Sequence, residues 1–388
     1  MKVAIDIRRA TEFGVGTYTR NIVRALGRID PCNDYFLIGA QQTASEIGDL
    51  PANFGIVSLL QPDDTIKGHL EFRSIVRRLS CDVVHVPQLY WIPRSLPCPY
   101  VVTVHDVVEH MYRAHDGSNF RRSLHFQLTR HVLKKAARIL AVSNFTKSEI
   151  EKLFGIPGRR IEVVYNAIDE RFLRGHASEN DHQALVERYQ VTYPFLLYAG
   201  RIGPHKNLVR IIQAFAALKS ELEKLTLFPD LKLINIGDQL SKHPDLRRTV
   251  IRSGVQNDVR FLGFVPIEML RVFYDAAKVF IFPSLYEGFG LQPLEAMAHG
   301  TTVVTSNTSS LPEAIGEAAV LVNPENVFEI MRGALRALTD PALSEEMRRR
   351  GYEQVKKYSW DASAQRVLEV YKAVAADTPA SLQSRNAA

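Results

Sequence analysis

The sequence is poor in cysteine: Cys32, Cys81 and Cys98 are its only three, with no close pairing. An odd count at such spacings argues against a disulfide framework or a cysteine zinc site, leaving them as small apolar side chains. No apolar run approaches the ~18 residues that a membrane-crossing helix requires. The stretch Met1 to Ile7 is interrupted by Lys2 and Asp6 and reads as a first strand rather than a cleaved leader, so a cytoplasmic location is expected. The three-glycine dinucleotide fingerprint is missing, so no nicotinamide cofactor is expected. No Asp-x-Asp pair stands at a strand end, since Asp63 and Asp64 lie in a loop-like stretch, and no metal site is expected. There is no internal sequence repeat and no low-complexity tract.

What is present is an excess of positive charge, +6 with a pI near 9.1, which favours an anionic partner: a nucleotide, a lipid head group or a nucleic acid. No recognition motif or aromatic stacking platform accompanies that charge, so nucleic acid is not expected. At 388 residues the chain exceeds a single core, and two domains are the default. Apolar runs at Val3 to Ile7, Tyr35 to Ile38, Val83 to Val86, Tyr100 to Val104, Ile139 to Val142 and Ile161 to Val164 read as strands. Longer periodic segments separate them, the alternation of a mostly parallel sheet covered by helices. The second half repeats the design at Phe195 to Ala199, Leu231 to Ile236, Val259 to Leu262, Val279 to Phe282, Thr302 to Thr305 and Ala319 to Val322. Two Rossmann-like halves of an α/β protein are therefore expected, joined near residues 168–190, where Arg174 to Asp181 is polar and without period. Ligands of such folds lie outside the carboxyl ends of the strands, which here implies a cleft between two facing domains. A last helix is expected over Ala362 to Ala375, and disorder over residues 377–388.

The chemistry concentrates between Pro283 and Gly300. A buried strand breaks at Pro283, a glycine loop follows, and a helix is predicted to start near Pro293 and stop at Gly300. A helix N-terminus offers free N–H groups to a phosphate, while Glu287 and Glu295 bracket the loop Gly288-Phe289-Gly290-Leu291. Such a pocket suits a diphosphate carrying hydroxyl-rich groups, with the carboxylates taking the hydroxyls. Arg201 and Lys206 follow a strand on a Gly/Pro-rich loop, a planar fork and a point charge fit for a diphosphate. Gly14 and Gly16 lead into a helix after the first strand, where they are either a plain turn or a close approach to a ligand. His105 and Asp106 end the strand Tyr100 to Val104, so His105 is either a hydrogen-bonded core residue or a cleft residue, with Asp106 orienting it. Ser143 caps the next helix or orients a ligand. The segment Phe120 to Arg138 has helical period, with Leu124, Leu128, Val132 and Ala136 as an apolar stripe. His131, Lys134, Lys135 and Arg138 form a basic face that is either solvated or laid on an anionic membrane.

The string Pro283 to Ala298 resembles the signature of the large group 1 family of retaining glycosyltransferases with the GT-B fold, in which a Glu, seven residues and a second Glu carry donor binding. The resemblance covers nearly the whole chain, most strongly Phe195 to Leu311 and His105, and most weakly residues 41–80 and 107–130. It implies an acceptor-binding domain over residues 1–170 completed by a crossover helix near 361–376, and a donor domain over 171–360. It also implies that Glu287 holds hydroxyls of the transferred hexose beside the amides of Gly288 to Leu291, while Glu295 grips the ribose. Arg201 and Lys206 would neutralise the diphosphate without a metal, Gly14 and Gly16 would face diphosphate and acceptor, and His105 would lie beside the sugar. The stretch Phe261 to Pro266, with Val265, matches the loop whose backbone meets the nucleobase. The implied reaction moves a hexose, with GDP-mannose the favoured donor, to a saccharide or lipid-linked acceptor by front-face displacement, with no cofactor beyond the nucleotide sugar. A GT-B epimerase acting on UDP-N-acetylglucosamine and a non-enzymatic anion-binding protein are the alternatives.

Overall fold

In the computed structural model, the described residues are all except 13, 64, 90–95, 113–118 and 378–388. The expected disorder of the C-terminal tail therefore concerns residues outside those described. Chain contacts divide the protein into two compact units, Met1–Ala167 with Tyr358–Ala388, and Ile168–Lys357. The division falls slightly before the expected residue 170, because Ile168 and Asp169 lead into a short 3-10 turn, Glu170–Leu173, that belongs to the second unit. Phe172 of that turn packs edge-on against Tyr274.

The first unit holds a parallel sheet of β1 (Lys2–Asp6), β2 (Asp34–Gly39), β3 (Phe54–Ser58), β4 (Val83–Val86), β5 (Tyr100–Val104), β6 (Arg138–Ala141) and β7 (Ile161–Val163). Their spatial order is β3-β2-β1-β4-β5-β6-β7. The inner strands are buried on both faces, as β-branched runs covered by helices must be. β3 escaped the sequence reading because it is a half-exposed edge carrying Gly55, with Ile56 open to solvent, and so shows no continuous apolar run. The Val15–Ile29 helix and the C-terminal Trp360–Ala376 helix share one core, in which Ile22 and Leu26 meet Trp360, Val367 and Tyr371. Arg28 and Asp361 tie their exposed edges at 2.6 Å.

The basic segment differs from expectation. Its helix, Asn119–Lys135, ends before Arg138, which opens β6 instead. Val132 and Ala136 of the expected stripe are buried and Leu128 is half-buried, with Thr129 and Leu133 buried beside them, while Leu124 is 48% exposed, so the stripe holds except at its N-terminal end. Arg138 points its guanidinium to Asp377 at 3.2 Å rather than joining Lys134 and Lys135 on a helix face.

The second unit holds β8 (Phe195–Gly200), β9 (Lys232–Gly237), β10 (Val259–Gly263), β11 (Val279–Phe282), β12 (Val303–Ser306) and β13 (Val320–Val322), in the order β10-β9-β8-β11-β12-β13. This is the doubly wound arrangement, whose strand order reverses between β8 and β11. Part of the stretch read as an aperiodic junction is helical: Ser178 and Asp181 form a capping box that starts Glu179–Tyr189. Their local hydrogen bonds outweigh the weak period of the helix they open.

Candidate active site of the second unit

The reversal of strand order leaves a gap between the carboxyl ends of β8 and β11, and the two loops that leave those ends meet there. Lys206 closes the short 3-10 turn Pro204–Lys206, and its Nζ lies 2.6 and 2.7 Å from the two oxygens of Glu287 in the loop after β11. The same ammonium stands 5.4 Å above the centre of the Phe282 ring. Glu287 is fixed by its backbone as well, since its N–H donates to Ser309 Oγ and its carbonyl accepts from Ser310 Oγ. Asn207, on the loop after β8, adopts φ 66° and donates from Nδ2 to the carbonyls of Pro283 after β11 and Pro324 after β13, fastening those two segments to its own loop. Arg201 is exposed and, among the described residues, its guanidinium has no acidic partner. The expected pair of diphosphate-facing cations thus divides: one is engaged by Glu287, the other is open.

The helix after the glycine loop is Leu291–Ala298, starting two residues earlier than the sequence suggests because Gly290, at φ 107°, serves as its N-cap. Gly288, Phe289 and Gly290 are buried in the approach to that N-terminus. Glu295 lies one turn in, and its Oε2 accepts a 2.9 Å hydrogen bond from the buried Tyr274 hydroxyl. Burial pushes the Glu295 carboxyl up to about 7; the Tyr274 hydroxyl opposes that rise and the charge of Asp169 adds to it. Val265 is buried just after β10, beside the exposed Phe264.

In the first unit, Gly14 has φ 73° and Gly16 packs so closely that a Cβ would come 2.4 Å from the carbonyl oxygen of Ala10. His105 shares its Nε2 proton with the Pro87 carbonyl at 2.8 Å and meets the edge of Tyr18 at 4.9 Å. Asp106 Oδ1 instead accepts from the Val108 amide, so the contact that orients the imidazole comes from Pro87, not from the expected Asp106. Burial lowers the His105 pKa to about 4, which the Pro87 carbonyl only partly offsets. The ring is accordingly neutral, with Nε2–H donated and a lone pair on Nδ1. Ser143 caps the Asn144–Phe154 helix by accepting from Thr146 N–H.

Sequence reasoning passed over Asn207, Tyr274, Ser309 and Ser310, and also Asp238, whose carboxylate accepts from the Ile202 amide. A signal existed for Asp238, which directly follows a buried strand as His105 does, and a weaker one for the serines, which stand three and four residues beyond the end of β12.

Residues 181–354 match the family described as Glycosyl transferases group 1, and residues 14–172 match Glycosyltransferase Family 4. The O-antigen chain mannosyltransferase B of Escherichia coli is 34% identical over 295 residues, covering 75% of this chain and 74% of the relative. The chain belongs to the group 1 glycosyltransferases. A second relative of this glycosyltransferase, the serotype-specific mannosyltransferase WbdA of Escherichia coli, is 30% identical over 71% of the chain, which spans only 33% of WbdA. The sucrose-phosphate synthase of Thermosynechococcus elongatus has the same fold, with a TM-score of 0.75 over 97% of the glycosyltransferase and 100% of that structure at 18% identity. Both units therefore have the α/β architecture of a GT-B enzyme. Among the described residues, no helix of the glycosyltransferase is long and apolar enough to cross a membrane.

Proposed function

We propose that this glycosyltransferase moves mannose from GDP-mannose to a hydroxyl of a saccharide or lipid-linked acceptor, with retention of anomeric configuration, in the synthesis of a cell-surface polysaccharide or glycolipid. The names of the two Escherichia coli relatives support the sugar. The observation that carries the mechanism is the Lys206–Glu287 pair at the β8–β11 reversal. Both Glu287 oxygens already accept from one ammonium, which makes them poor nucleophiles and good acceptors for sugar hydroxyls. Front-face displacement fits such a carboxylate: the bond from C1 to the leaving phosphate breaks, the acceptor oxygen bonds to C1 on the same face, and the departing phosphate takes the acceptor proton.

Arg201 supplies the open positive charge for the diphosphate, and Lys206 adds its remaining N–H. No divalent ion is assigned to that step. Glu295, with Tyr274 behind it, takes the ribose hydroxyls, and the backbone near Val265 meets the base. The neutral His105 accepts a hydrogen bond from a sugar hydroxyl at Nδ1. Peripheral contact with an anionic membrane belongs to the same proposal, through the outward face of Asn119–Lys135, where Leu124, His131, Lys134 and Lys135 are exposed. Sedimentation with anionic liposomes at low salt checks that contact.

The deciding experiment titrates the protein with GDP, UDP and ADP, then follows transfer from GDP-mannose and reads the anomeric configuration of the product by NMR. Preferential GDP binding and an α-linked product are expected. Binding of UDP alone, or a β-linked product, would reject the donor or the stereochemistry respectively.

A further inference from the structure

Three metal-ligating side chains that the transfer reaction does not use meet in the second unit. His176 Nδ1 and His299 Nδ1 each lie 2.9 Å from the same oxygen of Asp275, Oδ1, and the three ligand atoms fall within 4.8 Å of one another. The other oxygen of Asp275 is occupied, accepting from the Ala177 amide. Two imidazole nitrogens thus converge on one monodentate carboxylate oxygen.

The environment is unlike that of a surface ion pair. The His299 side chain is 1% exposed and that of Asp275 5%, while His176, at 64%, leaves the cluster open on one side. His299 Nε2 is buried with no hydrogen-bond partner, so this imidazole keeps only one ring nitrogen in use, the one that faces Asp275. His176 Nε2, by contrast, has the Tyr352 hydroxyl at 3.3 Å, the outer partner that a ligating histidine usually has.

We propose that His176, Asp275 and His299 bind a zinc-class divalent ion, with a water in the fourth position on the exposed side. Two imidazoles and a carboxylate suit zinc and its neighbours, whereas magnesium and calcium prefer all-oxygen sets. Binding needs a lone pair at each Nδ1, so each ring carries its proton at Nε2, where that of His176 faces the Tyr352 hydroxyl. The ion ties together the segment at His176, which follows Gly175, and the ends of two helices, Ile267–Ala276 and Leu291–Ala298. Asp275 directly follows Tyr274, and His299 stands one turn after Glu295. The ion therefore braces the Tyr274–Glu295 contact from behind while standing apart from Lys206 and Glu287.

The test uses the full chain, stripped with chelator and titrated with Zn²⁺ alone by competition against a chromophoric chelator, with Co²⁺ as a spectroscopic probe. One equivalent of Zn²⁺ is expected to bind with a dissociation constant below about 1 μM, to raise the unfolding midpoint, and to give the visible bands of four-coordinate Co²⁺. His176→Gln lies at an exposed position and should fold normally while weakening the affinity roughly 100-fold. His299→Gln should do the same, and Cys32→Ser, at an exposed thiol elsewhere, should change nothing. Absence of stoichiometric binding in the wild-type chain overturns the proposal, as does binding that survives both histidine substitutions. Either result leaves the cluster as a hydrogen-bonded clasp only.

Discussion

Lys206 Nζ sits between the two carboxylate oxygens of Glu287, at 2.6 and 2.7 Å, and this contact joins the loops that follow β8 and β11. Both side chains are largely withdrawn from water, 15% and 10% exposed. A pair this dry responds unevenly to mutation, because removing one partner leaves the other charge desolvated. Lys206→Met is expected to destabilise the second unit by about 3 kcal/mol, while Lys206→Met with Glu287→Gln should cost less than the two single changes together. A double-mutant cycle by thermal or urea unfolding checks this. Strict additivity would show that the two groups are energetically independent.

The same contact bears on turnover. Glu287→Gln keeps the shape of the side chain and one acceptor oxygen but loses the charge that positions Lys206. Turnover is expected to fall by roughly 10²–10³, the usual loss when one preorganised electrostatic contact is removed. Far-ultraviolet circular dichroism should show the fold intact. Near-normal rates in both Glu287→Gln and Lys206→Ala would remove these residues from the reaction.

Glu295 gives the second unit a signature in pH. Its carboxyl titrates near 7 in the folded chain, above the ordinary carboxylate range, so the native state holds the proton that the unfolded state releases. That contribution is present below about pH 4.5 and is lost as pH rises through about 7. Glu295→Gln should flatten this decline in the second unit's stability. Nucleotide binding should run the other way, tightening between about pH 6 and pH 8 as the carboxylate ionises and accepts the ribose hydroxyls. Calorimetric titration of GDP across that range measures it, and a pH-independent affinity would exclude Glu295 from the site.

Much of this site was legible in the sequence because buried parallel strands are continuous β-branched runs and the polar residues that follow them stand at their carboxyl ends. Val83–Val86, Tyr100–Val104 and Val279–Phe282 appear as expected to the residue, and they place His105 and Glu287. What stayed hidden was pairwise. Nothing in the spacing between Lys206 and Glu287 shows that they neutralise each other, nor that Pro87 rather than Asp106 turns His105. Tyr274 lies inside an amphipathic helix and reads as core, although its hydroxyl donates to the Glu295 carboxylate. Helix ends were misplaced where a side chain or glycine supplied the cap: Gly290 starts its helix early, and Ser178 starts one in a stretch that looked aperiodic.

The first unit should show the opposite response to acid. Burial holds His85 at about 3, with the nearby His105 adding to the shift, and holds His105 itself at about 4. His85 is locked neutral between Thr103 Oγ1 at 2.8 Å and the Tyr371 hydroxyl at 2.6 Å. A lowered folded pKa gives stability that is present above about 6.5 and is lost as pH falls through the folded value. Unfolding midpoints should therefore drop on acidification from about pH 7, and His85→Gln should remove part of that slope. For the same reason the pH–rate profile should show no ionisation of His105 near neutrality. A limb near 6.5 that disappears in His105→Gln would overturn the neutral assignment.

Gly237 offers a steric check on how the β8 and β9 ends are placed. Its φ is 134°, and a Cβ there would come 2.2 Å from the Gly200 carbonyl oxygen and 2.8 Å from its carbon, both backbone atoms that cannot rotate aside. Gly254, at φ 70°, has nothing within 4 Å of the same added atom. Gly254→Ala should therefore cost only the backbone strain of a positive φ, about 1 kcal/mol. Gly237→Ala adds a backbone clash and should cost at least about 3 kcal/mol. The clash also pushes on the start of the loop that carries Arg201, where the Ile202 amide donates to Asp238 at 2.9 Å. A variant that still folds should accordingly bind the nucleotide more weakly, whereas Gly254→Ala should bind it as the wild type does. Equal stability losses in the two variants, read by urea unfolding, would mean that β8 and β9 do not approach each other as closely as these distances state.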